Sequence, residues 1–89
     1  MSDLPIPAKQ YFDDFAFDLE DYKIIRGGKE ICTAKGLTNS EKGRPYVSFL
    51  VGLDLRVGDV LLHGKDCLSV LDLDTDSYNG EPQIIKAYF

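Results

Sequence analysis

From Tyr22 onward, turn-forming residues cut the chain so often that no long helix fits. Gly27-Gly28, the stretch 36–43, Gly52, Gly58, Gly64 and the stretch 75–82 divide it into short runs. The intervening segments 22–26, 29–35, 45–51, 60–62, 67–73 and 83–89 are rich in β-branched, aromatic and other apolar residues placed at alternate positions. Alternation of period two over such lengths marks strands with one buried face. Short strands joined by Gly-rich turns point to an all-β barrel or sandwich. Rolling a short sheet into a barrel hides edges that a flat layer of this size leaves bare. The expected fold is therefore an SH3-like open barrel of five to six strands, with an OB-like barrel as the alternative. The expected domain covers 11–89. It is preceded over 1–10 by a mobile arm that Pro5 and Pro7 bias toward extended conformations.

Individual segments give finer expectations. Gly27-Gly28 supplies two residues able to take positive φ, as a tight hairpin turn requires. Residues 36–43 read as a polar surface loop, and Lys35, Lys42 and Arg44 make this the most basic part of the chain. In 45–51, Val47, Phe49 and Val51 share an apolar face, while Tyr46, Ser48 and Leu50 form a mixed one. The turn around Gly58 is expected to tuck Leu55, Val57 and Val60 into the core. Residues 67–73 read as one long strand, followed by an acidic turn over 75–82. In 11–21, aromatics alternate with acids. Phe12, Phe15 and Leu19 sit at helical spacing, whereas Phe15, Phe17 and Leu19 fit one face of a strand, so a short N-terminal helix and a strand both remain open.

The 89 residues carry a net charge of −5, unevenly spread. Residues 1–21 hold six acids and one lysine, 22–66 hold eight bases and five acids, and 67–89 hold four acids and one lysine. Such a balance disfavours general nucleic-acid binding, which depends on Lys and Arg displacing counterions from phosphate. No uninterrupted apolar run approaches the length of a membrane span. No basic region followed by an apolar stretch opens the chain. The expected location is thus the cytoplasm. Cys32 and Cys67 each fall within an expected strand, outside any C-x-x-C pair, and read as buried free thiols.

Candidate chemistry is sparse. Asp72, Asp74 and Asp76 alternate in the acidic segment, and hard cations favour such oxygens. The pattern then departs from a calcium loop, with Ser77 where glycine is needed and Gln83 where a bidentate glutamate is needed, so the expectation is a water-facing acidic turn and no bound metal or cofactor. His63 stands in a hairpin turn with no recognisable nucleophile arrangement beside it, so an enzyme is not expected. Tyr46 and Tyr88 beside Arg44 and Lys86 could form a stacking platform for single-stranded nucleic acid, against the surrounding charge.

The second half resembles small β-rich proteins encoded by tailed bacteriophages and prophages. The resemblance rests on Asp54-Leu55-Arg56-Val57-Gly58-Asp59-Val60-Leu61, Val70-Leu71-Asp72-Leu73-Asp74-Thr75-Asp76 and Ile84-Ile85-Lys86-Ala87-Tyr88-Phe89. It implies a compact accessory or head–tail connector barrel that acts through protein contacts, and it assigns no functional residue. The expected function is a non-enzymatic protein-interaction module in virion assembly, with self-association or a protein partner made through Phe12, Phe15, Phe17, Lys42 and Arg44. The alternatives are a small acidic inhibitor of a host protein and a nucleic-acid-binding barrel.

Overall fold

A computed structural model describes residues 2–14 and 18–89. The chain forms β1 (Ser2–Asp3), α1 (Ala8–Asp14), β2 (Glu20–Arg26), β3 (Lys29–Glu41), β4 (Arg44–Leu50), β5 (Val60–His63), β6 (Asp66–Ser69), β7 (Asp72–Tyr78) and β8 (Glu81–Tyr88). All the strands join one curled sheet in the order β1-β7-β8-β4-β3-β2-β5-β6. Every pairing is antiparallel except that of β1 with β7. The all-β barrel-like expectation is met. Eight strands replace the expected five to six because the segment 67–73 is split and β1 is added.

Two-residue turns set the hairpin registers. Gly27-Gly28, Lys42-Gly43 and Asn79-Gly80 all have positive φ at both central positions, which matches turn twist to strand twist. The second and third of these correct the expected loops over 36–43 and 75–82. β3 runs through to Glu41 because β4 gives Leu37–Glu41 a continuous ladder, from Leu37↔Ser48 to Glu41↔Arg44. Strand pairing here overrides the turn-forming composition of the segment. Likewise β7 continues to Tyr78, so Asp72, Asp74 and Asp76 lie on a strand rather than in a turn.

The curl arises where strands change partner. β3 pairs with β2 as far as Glu20↔Gly36 and with β4 from Leu37↔Ser48. At this corner the backbone passes so close to the core that a Cβ on Gly36 would lie 2.5 Å from Val47 Cγ1 and 2.8 Å from Phe49 Cε1. Glycine at a barrel corner is what such close approach requires. The expected long strand 67–73 makes the second corner: β6 pairs with β5 and β7 with β8. Between them the Val70 N–H donates to the Asp59 carbonyl (2.9 Å) and the Leu71 N–H to the Tyr88 carbonyl (2.8 Å).

The two halves of the curled sheet enclose a core of Tyr22, Ile24, Val47, Phe49, Leu55, Leu61, Val70 and Ala87. Burying each larger apolar side chain contributes about 1.5–3 kcal/mol. Tyr22 meets Phe49 edge to face (centroids 5.8 Å apart), and its hydroxyl is hydrogen-bonded to the Thr38 hydroxyl at 2.6 Å. Two core expectations are corrected. Leu55 is buried, but Val57 is 60% exposed, because the turn around Gly58 points it outward. Cys67 is exposed and Cys32 only half-buried, because Cys67 lies on the last strand of the sheet.

Of residues 2–10, where an arm is expected, Ser2, Asp3, Leu4 and Ala8 are attached to the sheet. Ser2 and Asp3 register with Asp76 and Ser77, and the Leu4 N–H donates to the Ser77 carbonyl at 2.6 Å. Within the undecided 11–21 segment, the structure is helical to Asp14, and the helix starts earlier, at Ala8. Seven residues are too few to hold a helix alone. Ala8 and Phe12, one turn apart, pack with Ile84, Leu4 and Leu19, and the Ala8 N–H donates to Gln83 Oε1 at 2.8 Å. Among the described residues no helix is long and apolar enough to cross a membrane.

Candidate functional site

Alternation places Tyr46 and Ser48 of β4, Lys86 and Tyr88 of β8, and Asp72 and Asp74 of β7 on the face opposite the core residues Val47, Phe49 and Ala87. A polar and aromatic cluster forms there. Tyr46 and Tyr88 are register partners with ring centroids 5.4 Å apart. The Arg44 guanidinium lies 4.1 Å over the Tyr88 ring, and Arg44 Nη2 is 3.6 Å from Asp72 Oδ2. Lys86 Nζ donates to Glu41 Oε2 at 2.9 Å, lies 3.3 Å from Asp76 Oδ1, and sits 5.3 Å from the Tyr46 ring centroid.

The Lys86 side chain is only 6% exposed. Its burial would push the ammonium pKa down, but the Glu41 hydrogen bond and the Asp76 charge outweigh this and hold it above the usual lysine range. The Lys86 hydrogen bond in turn holds Glu41 below the usual carboxylate range. The cluster thus brings together Arg44, Tyr46, Lys86 and Tyr88, the residues of the stacking-platform alternative. It also covers the rings with the chain's own cations and pairs those cations with acids. Phosphate binding draws on surplus positive charge and stacking on open ring faces, and the Lys86 and Tyr88 side chains are buried.

The acidic triplet is divided by the same contacts. Asp72 faces Arg44 and Asp76 faces Lys86, while Asp72 Oδ1 and Asp74 Oδ1 accept from the N–H groups of Leu73 (2.9 Å) and Thr75 (2.8 Å). Among the described residues no group of three or more His, Cys, Asp or Glu side chains is placed to share a metal ion. Of the expected partner contacts, Lys42 is exposed at the β3–β4 turn and Arg44 is exposed but laid over Tyr88. Phe12 is buried against Ile84, and Phe15 and Phe17 lie outside the described residues. His63 is the last residue of β5 rather than part of the turn. Its Nε2 is 2.9 Å from Glu20 Oε2, its Nδ1 is 3.1 Å from the Asp21 carbonyl, and its ring lies 5.4 Å from that of Tyr22, so it clips β5 to the start of β2.

A second polar centre fixes the turn before β5. Asp59, 2% exposed, accepts from Arg26 Nε (2.9 Å) and Nη2 (2.8 Å) and from the Arg56 N–H (2.9 Å). The Arg26 hydrogen bond is the main cause that keeps Asp59 ionised below the usual range, against its burial. Arg26 and Arg56 also reach Asp54. This centre anchors the 54–59 turn to β2.

The anchored turn presents apolar surface to solvent. Val57 and Leu71 are 60% and 68% exposed, the highest values among the large apolar side chains of the described residues. The Gly58 N–H donates to the Val70 carbonyl at 2.9 Å, so Val57 and Leu71 flank a single backbone bond. A groove of about 320 Å³ is lined by Leu55 of the same turn, by Leu73, Asp74 and Thr75 of β7 and by Ile85 of β8. Among the described residues, the only strand paired with the outer side of β7 is β1, at Asp76 and Ser77. Sequence reasoning missed this surface by assigning Val57 to the core and Leu71 to the middle of a strand. A signal was present in Val70-Leu71, two adjacent apolar residues that a single alternating strand would send to opposite faces. Comparison with family models, with curated proteins and with solved structures finds no match to this chain.

Proposed function

We propose that the chain is a non-enzymatic protein-interaction module whose contact surface is the seam formed by Val57, Leu71 and the outer side of β7. The observation that carries this reading is the exposure of Val57 and Leu71 on either side of the Gly58–Val70 backbone bond, with a groove lined by Leu55 of the same turn and Leu73 of β7. Apolar side chains grouped in water are a recurrent mark of protein contact sites. The resemblance of the second half to small phage proteins supports an assembly or adaptor role. An SH3-like barrel is supported by the two corners at which β3 and the β6–β7 strand change partner. The inhibitor reading draws on the net charge of −5 and uses the same surface. Nucleic-acid binding is the weaker reading, because Arg44 and Lys86 are already paired.

The test is sedimentation of the fluorescently labelled full chain in extract of the cells that produce it. A faster boundary is expected for the parent and for Ile31→Ser, whose side chain is also exposed (42%) but lies on β3. The boundary is expected to revert to that of the free chain with Val57→Ser or Leu71→Ser. Equal behaviour of all three variants would overturn the reading. A boundary that speeds up with chain concentration in buffer alone would identify the partner as a second copy.

A further inference from the structure

We propose, building on the seam as the contact surface, that its partner supplies an extended basic segment that adds to the outer edge of β7 along Leu71–Asp74. The edge already accepts one strand of this kind: Ser2–Asp3 pairs with Asp76 and Ser77, and the Leu4 N–H continues the ladder to the Ser77 carbonyl. Immediately along the same edge, the Leu73 N–H is held by the carboxylate of the preceding Asp72 at 2.9 Å. An incoming strand carbonyl can replace that carboxylate without leaving the amide unsatisfied. Strand addition of this type draws affinity from main-chain bonds and specificity from pockets that take alternate side chains.

The pockets and charges here select the occupant. Leu55, Leu73 and Ile85 line a recess with Asp74 and Thr75, and Val57 and Leu71 are exposed on the same turn and just before the same strand. Asp72 and Asp74 are exposed along the edge, and Asp54 is exposed on the neighbouring turn. Asp72 shares its charge with Arg44, and Asp54 with Arg26 and Arg56. Asp72 and Asp74 displaced from the Leu73 and Thr75 amides would meet lysine or arginine of the incoming segment. A second copy pairing β7 to β7 would instead set these aspartates against their own counterparts, and like charges across a strand pair are destabilising. The complementary occupant is therefore a strand that alternates apolar with basic residues.

The experiment uses the full chain, isotope-labelled, titrated with a short peptide alternating valine with lysine. A valine–glutamate peptide serves as the charge control, and a proline-interrupted valine–lysine peptide as the strand control. The expected result is saturable shifts confined to 71–75 and slowed exchange of the Leu73 amide with the first peptide alone. Asp72→Asn with Asp74→Asn keeps an Oδ1 acceptor at each position for the Leu73 and Thr75 amides and removes the charge, and is expected to weaken binding about fivefold. Equal binding of the glutamate or proline peptide, or no protection of Leu73 up to about 1 mM peptide, would overturn the proposal. Homodimer formation through β7 would overturn it in favour of a second copy. If the extract boundary still depends on Leu71 while Leu73 stays unprotected, strand addition fails and the contact surface stands. If the boundary ignores Leu71, the contact surface itself fails.

Discussion

Replacing Gly36 with alanine tests the corner on which the curled sheet depends. Gly36 has no positive φ, so alanine meets no backbone penalty and its methyl group alone is at issue. That methyl would stand 2.5 Å from Val47 Cγ1, with Phe49 Cε1 and Cδ1 at 2.8 and 3.2 Å. Val47 and Phe49 are 0% and 1% exposed, so neither can swing into solvent to make room. Overpacking of this kind costs about 1–3 kcal/mol. Reduced freedom of the unfolded chain returns about 0.4–1 kcal/mol. The net expectation is a loss of about 1–2 kcal/mol, which lowers the melting temperature by roughly 4–16 °C in a domain of this size. Urea unfolding followed by circular dichroism measures it. Combined with Val47→Ala, which removes the nearest clashing atom, the loss should fall below the sum of the two single losses by about 0.5–2 kcal/mol. Gly36→Ala as stable as the parent, with strictly additive behaviour in the double variant, would refute the close passage of β3 over the core.

Asp59→Asn is expected to lower stability by about 2 kcal/mol, since it weakens charge-assisted bonds from Arg26 and the Arg56 N–H. Because Arg26 depresses the Asp59 pKa, the parent should hold this contribution above the unfolded value of about 3.9. It should lose it as pH falls through the folded value, and a stability–pH series on both proteins should show the variant lacking that part of the slope. Lys86→Met leaves Asp76 buried without its cation and should cost about 3 kcal/mol in the same unfolding assay near neutral pH. A thiol reagent should modify Cys67 rapidly in the native chain and Cys32 far more slowly, with mass spectrometry locating the adduct. Leu71→Ser should change stability by less than about 0.5 kcal/mol in urea unfolding, as befits a side chain left in water.

The parts of the fold that were legible in the sequence are those governed by short-range rules. Gly27-Gly28 announced its hairpin, and Val47 and Phe49 announced the buried face of β4, because turn geometry and alternation act within a few residues. The bends were harder. Gly36 looked like the start of a loop, because a glycine that admits a core side chain and a glycine that begins a turn are identical in sequence. The split of 67–73 depends on Asp59 and Tyr88, which receive the Val70 and Leu71 amides from far along the chain. Leu37–Glu41 became a strand for a similar reason, since β4 overrode a turn-like composition. Of the candidate site, the convergence of Arg44, Tyr46, Lys86 and Tyr88 was legible from strand alternation, but Glu41 and Asp76, which spend the Lys86 charge, were not. The seam at Val57 and Leu71 was hidden by treating apolar residues as core residues, a rule that runs reliably in only one direction.

The most direct measurement places a photo-crosslinking side chain at position 71 and, separately, at position 31, in the full chain within the cells that produce it. Both positions are exposed, and they lie on different parts of the curled sheet. The account predicts discrete adducts from position 71, mapped by mass spectrometry to an extended basic segment of a partner, and none of comparable yield from position 31. Equal or indiscriminate labelling from the two positions would contradict the seam as the contact surface.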